Sequence, residues 1–174
     1  MPFTPYHFGP SGFIALALRK WLDLPVFLLA NVIIDIEVLV INALDAGFPI
    51  HRYAHTLLIG GIIGALWGMT AYPLRGFFQI IMRFFRLPYQ TTFSKMLISG
   101  VFGFWLHVII DSIYHWDVRP FWPASIKPLF GLLTQNQVEI VSLAFFILAV
   151  ILYIIIVVSH RKKNETVKSE KIKQ

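Results

Sequence analysis

Four stretches of about twenty residues, at 25–45, 55–74, 95–115 and 139–159, are almost wholly apolar, and a helix needs about 20 such residues to cross a hydrocarbon core about 30 Å thick. No water is available there for backbone N–H and C=O groups, so each run must close its own hydrogen bonds as a helix. Composition agrees, since 57% of the chain is hydrophobic and only 14% charged, against roughly a quarter charged in soluble domains. The expectation is an all-α integral membrane protein with four spanning helices in a single membrane domain over residues 1–160. Residues 161–174 are polar and basic and are expected to form a disordered cytoplasmic tail.

The net charge of +6 does not point to nucleic acid, because the cations flank the apolar runs. With the residues before 25, the 75–95 connection and the tail assigned to one side, that side holds 12 of the 15 Lys and Arg. The positive-inside rule then places both termini in the cytoplasm of a cell whose inner membrane, of bacterial type, holds the chain. Membrane lipids are its expected partners, and the sequence does not indicate an oligomeric state. The short apolar stretch 13–18 precedes its basic pair Arg19-Lys20, the reverse of the order in a signal peptide.

Two shorter segments complete the plan. Residues 1–10, MPFTPYHFGP, hold three prolines and a glycine and are not expected to be regular helix. A helix capped by Ser11 and ending near 20–24 is too short to span, so it is expected to be re-entrant or interfacial. Over 75–86, Arg75, Gln79, Arg83 and Arg86 recur on one side at helical spacing and Phe77, Phe78, Ile81, Phe84 and Phe85 on the other. That pattern predicts an amphipathic interfacial helix. In the second span Gly60, Gly61, Gly64 and Gly68 form a small-residue stripe suited to close helix packing.

Against this apolar background the ionisable residues inside the runs mark function, since an acidic or basic side chain at a helix centre costs about 2.5–3.5 kcal/mol on insertion scales. His51 and His55 open the second span four residues apart and are expected on one helical face, a metal-ligand spacing. His107 and Asp111 repeat that spacing in the third. Asp35 and Glu37 are two apart and so point about 160° apart on a helix; Asp35 is assigned as a ligand and Glu37 as a supporting carboxylate behind the ligands or a base. At 1.5 Å per residue from the basic side, Asp35 lies roughly 16 Å deep, His107 roughly 18 Å and Asp111 roughly 24 Å. His7 reaches that level, at roughly 20 Å, only if the first short helix runs inward as a re-entrant hairpin.

With no cysteine in the chain, only nitrogen and oxygen ligands remain. The expected metal set is His7, Asp35, His51, His55, His107 and Asp111, holding one or two divalent ions, zinc first, with manganese and iron also suiting mixed imidazole and carboxylate sites. Arg52, beside the histidines, is assigned to a phosphate or carboxylate on the substrate, with an interface anchor as its other reading. His115 and Asp117 are read as interfacial, with a spare ligand as the other reading of His115. The expected activity is a metal-dependent hydrolase, with water activated by the ion and Glu37 moving the proton, on a phosphoester or a lipid-linked or small-molecule substrate. A metal or proton transporter using the same cluster is the alternative, though the short chain carries no inverted repeat. A structural metal or buried ion pairs without catalysis is the third reading.

Taken in order, His7-Phe8-Gly9, Asp35, His51-Arg52-Tyr53-Ala54-His55, His107 with Asp111, and Trp122-Pro123 resemble the YdjM-like family of predicted membrane-bound, metal-dependent hydrolases. The resemblance covers most of residues 1–125, and it implies a bound metal and hydrolase activity. Tyr53 and Asp117 stand where that family often has glycine. The order of His, Asp, His and HxxxD is also similar to the ligand order of zinc-dependent phospholipase C enzymes.

Overall fold

The structure, a computed structural model, describes residues 4–172 and contains no strand among them. After a 3-10 turn at Thr4–His7, the described residues form helices α1 (Phe8–Ala17), α2 (Leu24–Ile34), α3 (Ile36–Ala43), α4 (Leu57–Ala71), α5 (Arg75–Phe84), α6 (Phe93–Tyr114) and α7 (Gln135–Ile172). Four stretches are long and apolar enough to cross a membrane: Leu24–Ala43, Leu57–Phe84, Phe93–Tyr114 and Gln135–Lys162. The first is α2 and α3 in series, broken at Asp35. The second is α4 and α5 joined through a 3-10 turn at Tyr72–Leu74 that contains Pro73.

Local chemistry sets most of the helix starts. Asp23 caps α2 by accepting from the Val26 N–H at 3.2 Å, with Pro25 in the first turn, where its missing N–H has no intrahelical acceptor to lose. Thr56 caps α4 and Thr92 caps α6 in the same way, at 3.1 and 3.2 Å. The same argument corrects the N-terminal expectation. Helix α1 starts at Phe8, before Ser11, and carries Pro10 in its first turn, the part of a helix that tolerates proline. The C-terminal expectation is corrected as well: α7 continues through Ile172, across 161–172 of the tail expected to be disordered, and residues 173–174 lie outside the described residues. An i,i+4 ion pair, Arg161 Nε to Glu165 Oε1 at 3.1 Å, lies just past the apolar part, and extending an existing helix avoids the cost of nucleation.

Helix α6 is the centre of the packing, and small residues let its neighbours approach it. A Cβ on Gly64 would stand 2.6 Å from the Gly100 carbonyl oxygen, and one on Gly68 2.5 Å from that of Met96, so α4 and α6 run antiparallel with their backbones almost touching. On another face a Cβ on Gly103 would stand 2.8 Å from the Phe27 carbonyl oxygen, which brings α2 alongside α6. Helix α1 lies along α7 in the same direction, with Gly9 against Ser142 and Gly12 against Ala149. The hairpin of α1 and α2 therefore puts His7 and Asp35 at one end of the bundle.

The opposite end is tied by Asp23, which is fully buried. Its carboxylate accepts from Tyr89 Oη at 2.8 Å and Thr91 Oγ1 at 2.5 Å, and its own N–H donates to Ser99 Oγ at 2.6 Å. Nothing around Asp23 in the sequence distinguishes it from an ordinary N-cap.

The α4–α6 contact predicts that Gly64→Val destabilises the detergent-solubilised protein, read as a fall in its thermal midpoint, by more than the about 1–3 kcal/mol typical of overpacking, because backbone lies in the way. Gly76, in α5, has open space where a side-chain methyl would stand, with no atom within 4 Å, so Gly76→Ala should leave the stability unchanged or raise it by up to about 1 kcal/mol. Equal tolerance at both positions contradicts the packing described.

Candidate metal centre

One carboxylate joins four histidines. Asp111 Oδ2 lies 3.1 Å from His107 Nε2, 3.8 Å from His55 Nε2 and 3.9 Å from His51 Nε2, while Oδ1 lies 3.1 Å from His7 Nε2 and accepts from Tyr114 Oη at 3.1 Å. Asp35 Oδ1 adds contacts of 3.2 Å to His107 Nε2 and 3.6 Å to His55 Nε2. All six expected ligands thus meet at one place, His7 included, its ring stacked on that of His107 at 4.0 Å and 7°. The histidines and Asp111 are buried, and Asp35 is partly exposed, its side chain at 18%.

The expected route for His51 and His55 is corrected. They do not sit on a helical face; they lie in the irregular turn before α4, which starts only at Leu57. What brings them together is a pair of carboxylates that hold both the loop backbone and one ring nitrogen each. Glu37 accepts from the N–H groups of Arg52 and Ala54, both at 2.9 Å, and from His55 Nδ1 at 2.9 Å. Asp117 accepts from the N–H groups of Ile50 and His51, both at 3.1 Å, and from His51 Nδ1 at 3.0 Å. A carboxylate at Nδ1 selects the tautomer that leaves the Nε2 lone pair free, and in both rings Nε2 faces Asp111. The break at Asp35 also removes the helical constraint on its i,i+2 partner, so Asp35 stands at Nε2 of His55 and Glu37 at its Nδ1.

The donor set fits a small divalent ion. A tetrahedral ion with bonds of about 2.0–2.1 Å spaces its ligand atoms about 3.4 Å apart. The separations among Asp35, His55, His107 and Asp111 are 3.1, 3.2, 3.6 and 3.8 Å, and these four offer ligand atoms that all lie within 4.8 Å of one another. Ion pairing accounts for Nε2 of His107 and of His7, but Nε2 of His55 is buried without a hydrogen-bond partner, as are the Nδ1 atoms of His7 and His107. Buried polar atoms rarely stay unpartnered, and an imidazole held at Nδ1 by a carboxylate with Nε2 left open is the arrangement seen around metal ligands.

The two residues given catalytic roles from sequence stand differently. Glu37 accepts from three donors through both of its oxygens and orients His55. Arg52 donates through Nε to the Pro49 carbonyl at 2.9 Å and through Nη2 to the Ala46 carbonyl at 2.8 Å, so it clamps the preceding loop. Asp117, read as interfacial, is instead the orienting partner of His51. Burial alone raises a carboxyl pKa, but the His51 ring and the backbone N–H groups outweigh it and hold Asp117 below its ordinary range. His115 packs on His51 at 4.3 Å, and burial lowers its pKa to about 4, which keeps it neutral. With Asp117 and His51 it forms a second group whose ligand atoms lie within 4.8 Å of one another. The usable sequence signal for Asp117 was the need of each liganding imidazole for a carboxylate on its other nitrogen.

A cavity of about 330 Å³ touches the edge of the cluster at His51, and its wall also includes Arg52, Tyr53, Asp117, Arg119 and Trp122. No model of a known protein family, no curated protein and no solved structure matches the chain. The geometry therefore carries the functional argument.

Metal affinity should follow these contacts. Loss of an outer carboxylate typically costs 10–100-fold in affinity, so Glu37→Gln and Asp117→Asn should each weaken zinc binding by about that factor in competition with a chromophoric chelator, and His55→Ala should weaken it further. Wild-type affinity in both carboxamide variants contradicts the orienting role.

Proposed function

We propose that the chain is a membrane-bound, metal-dependent hydrolase acting on a phosphoester, on a lipid-linked or small substrate. The observation that carries this reading is the pairing of two imidazoles with outer carboxylates, which aims both Nε2 atoms at Asp111 beside an open cavity. Asp35, His55, His107 and Asp111 would hold the ion, with His7 and His51 on either side of Asp111 as further ligands, and zinc, manganese or iron suits such a set. A bound ion of this kind lowers the pKa of water to about 7, which supplies a nucleophile at neutral pH.

The chain's own residues do the rest. Glu37 and Asp117 fix the imidazoles, and Tyr114 steadies Asp111 through a hydrogen bond. Arg52 and Arg119, both in the cavity wall, favour an anionic group there, and this supports the phosphoester over a neutral ester. In the same reading α1 is a re-entrant half-helix that turns back at the basic, cytoplasmic side into the spanning α2. Helix α5 lies in the interface and the centre faces the outer side, as the basic-residue count and the depths along the helices support. Transport fits less well, because two rings pinned by carboxylates favour a fixed site over a transient one.

The test is phosphate release from p-nitrophenyl phosphate and from a phosphatidic acid micelle by detergent-purified protein, reconstituted with zinc or manganese. Turnover should disappear with chelator, return with the ion, and fall by at least about 10³-fold in Asp111→Ala, the size expected when metal-assisted chemistry is lost. Metal-loaded protein that cleaves no ester but moves the ion into proteoliposomes overturns the reading in favour of transport.

A further inference from the structure

Two larger cavities lie away from the metal centre and meet each other. The first, about 810 Å³, sits between the end of α5 and the far part of α7, and its wall includes Arg83, Arg86, Gln79, His160 and Arg161. The second, about 700 Å³, is a groove between α1, α2, α5 and α7. Its wall includes Gly12, Leu16, Leu28, Phe78, Met82 and Tyr153. Leu87 lines both. The groove wall is apolar apart from the Tyr153 hydroxyl, and that donates to the Phe85 carbonyl at 2.9 Å, so nothing in the groove asks for a polar ligand.

We propose that this end of the bundle binds one anionic phospholipid, with its headgroup phosphate among Arg83, Arg86 and Arg161 and an acyl chain in the groove. Length supports a chain entering from one leaflet. The groove follows α1 from Phe8 to Leu16, about 12 Å of helix rise, close to half of the roughly 30 Å hydrocarbon core. Charge supports an anionic head. Three guanidinium groups face one carboxylate, Glu165, which is already paired with Arg161 at 3.1 Å. Basic pockets between helices on the cytoplasmic side are the kind that recognise anionic headgroups. A second copy of the chain is a poor occupant, because each copy carries a net charge of +6 and would bring arginines against arginines. The site is separate from the metal centre, and the inference stands or falls independently of the hydrolase reading.

The experiment is native mass spectrometry of the full chain in mild detergent, offered equal amounts of dioleoyl phosphatidylglycerol and dioleoyl phosphatidylcholine. Wild type should retain one phosphatidylglycerol per chain in preference to phosphatidylcholine. A Lys or Arg near an anionic headgroup is worth about 1 kcal/mol, so Arg83→Gln with Arg161→Gln should reduce that preference roughly 25-fold, at 1.4 kcal/mol per tenfold. Leu29→Trp, at a partly exposed position in the groove wall, should lower retention of both lipids while leaving the preference unchanged. Equal retention of the two lipids by wild type overturns the proposal, and that measurement needs no variant. A full preference in the double variant, or a lipid-free dimer, overturns it too.

Discussion

The contact on which the rest depends is between the Asp111 carboxylate and four imidazoles that reach it from three parts of the chain. His107 comes from one turn below on α6, His7 from the start of α1, and His51 and His55 from the loop before α4. A carboxylate and imidazoles in the apolar interior are costly unless each polar atom is partnered. The surrounding structure meets part of that demand: Tyr114 serves Asp111, Glu37 serves His55, and Asp117 serves His51. Nε2 of His55 is one of several buried ring nitrogens here without a hydrogen-bond partner, and it stands 3.6 Å from Asp35 Oδ1 and 3.8 Å from Asp111 Oδ2.

The helix packing can be understood as what delivers these groups to one place. Glycines at 64, 68, 100 and 103 bring α2 and α4 onto α6 at backbone contact, which leaves little freedom to slide. The N-terminal hairpin sets how far His7 extends, since α1 is held along α7 by Gly9 and Gly12. At the other end the buried Asp23 joins α2, the 89–91 connection and α6 through short hydrogen bonds. Register errors there would be carried along α2 to Asp35.

Much of the centre was legible because hydropathy is a strong signal in a chain with four helices apolar enough to cross a membrane, and an Asp or His within an apolar run stands out against it. Simple rise along helices also placed His7, Asp35 and His107 at one level, and the structure brings them into contact. The arrangement of His51 and His55 was not legible in the same way. A spacing of four residues suits a helical face, but it equally suits a turn wrapped around a carboxylate, and Thr56 ahead of an apolar run was the local sign that the helix starts after the pair. Asp117 was hidden because its partner His51 is 66 residues away, and no periodicity encodes such a pairing. The segment after residue 160 was misread because polar composition alone predicts disorder, while a helix already nucleated in α7 can propagate through residues such as Arg161 and Glu165 at little cost.

The most direct test of the account is X-ray absorption spectroscopy at the metal edge on purified, metal-reconstituted protein. The account predicts nearest neighbours of nitrogen and oxygen at about 2.0–2.2 Å, with the more distant scattering of at least two imidazole rings. Protein that takes up no zinc, manganese or iron, or an ion with only oxygen neighbours and no imidazole scattering, contradicts the central claim that these histidines and carboxylates form a metal centre.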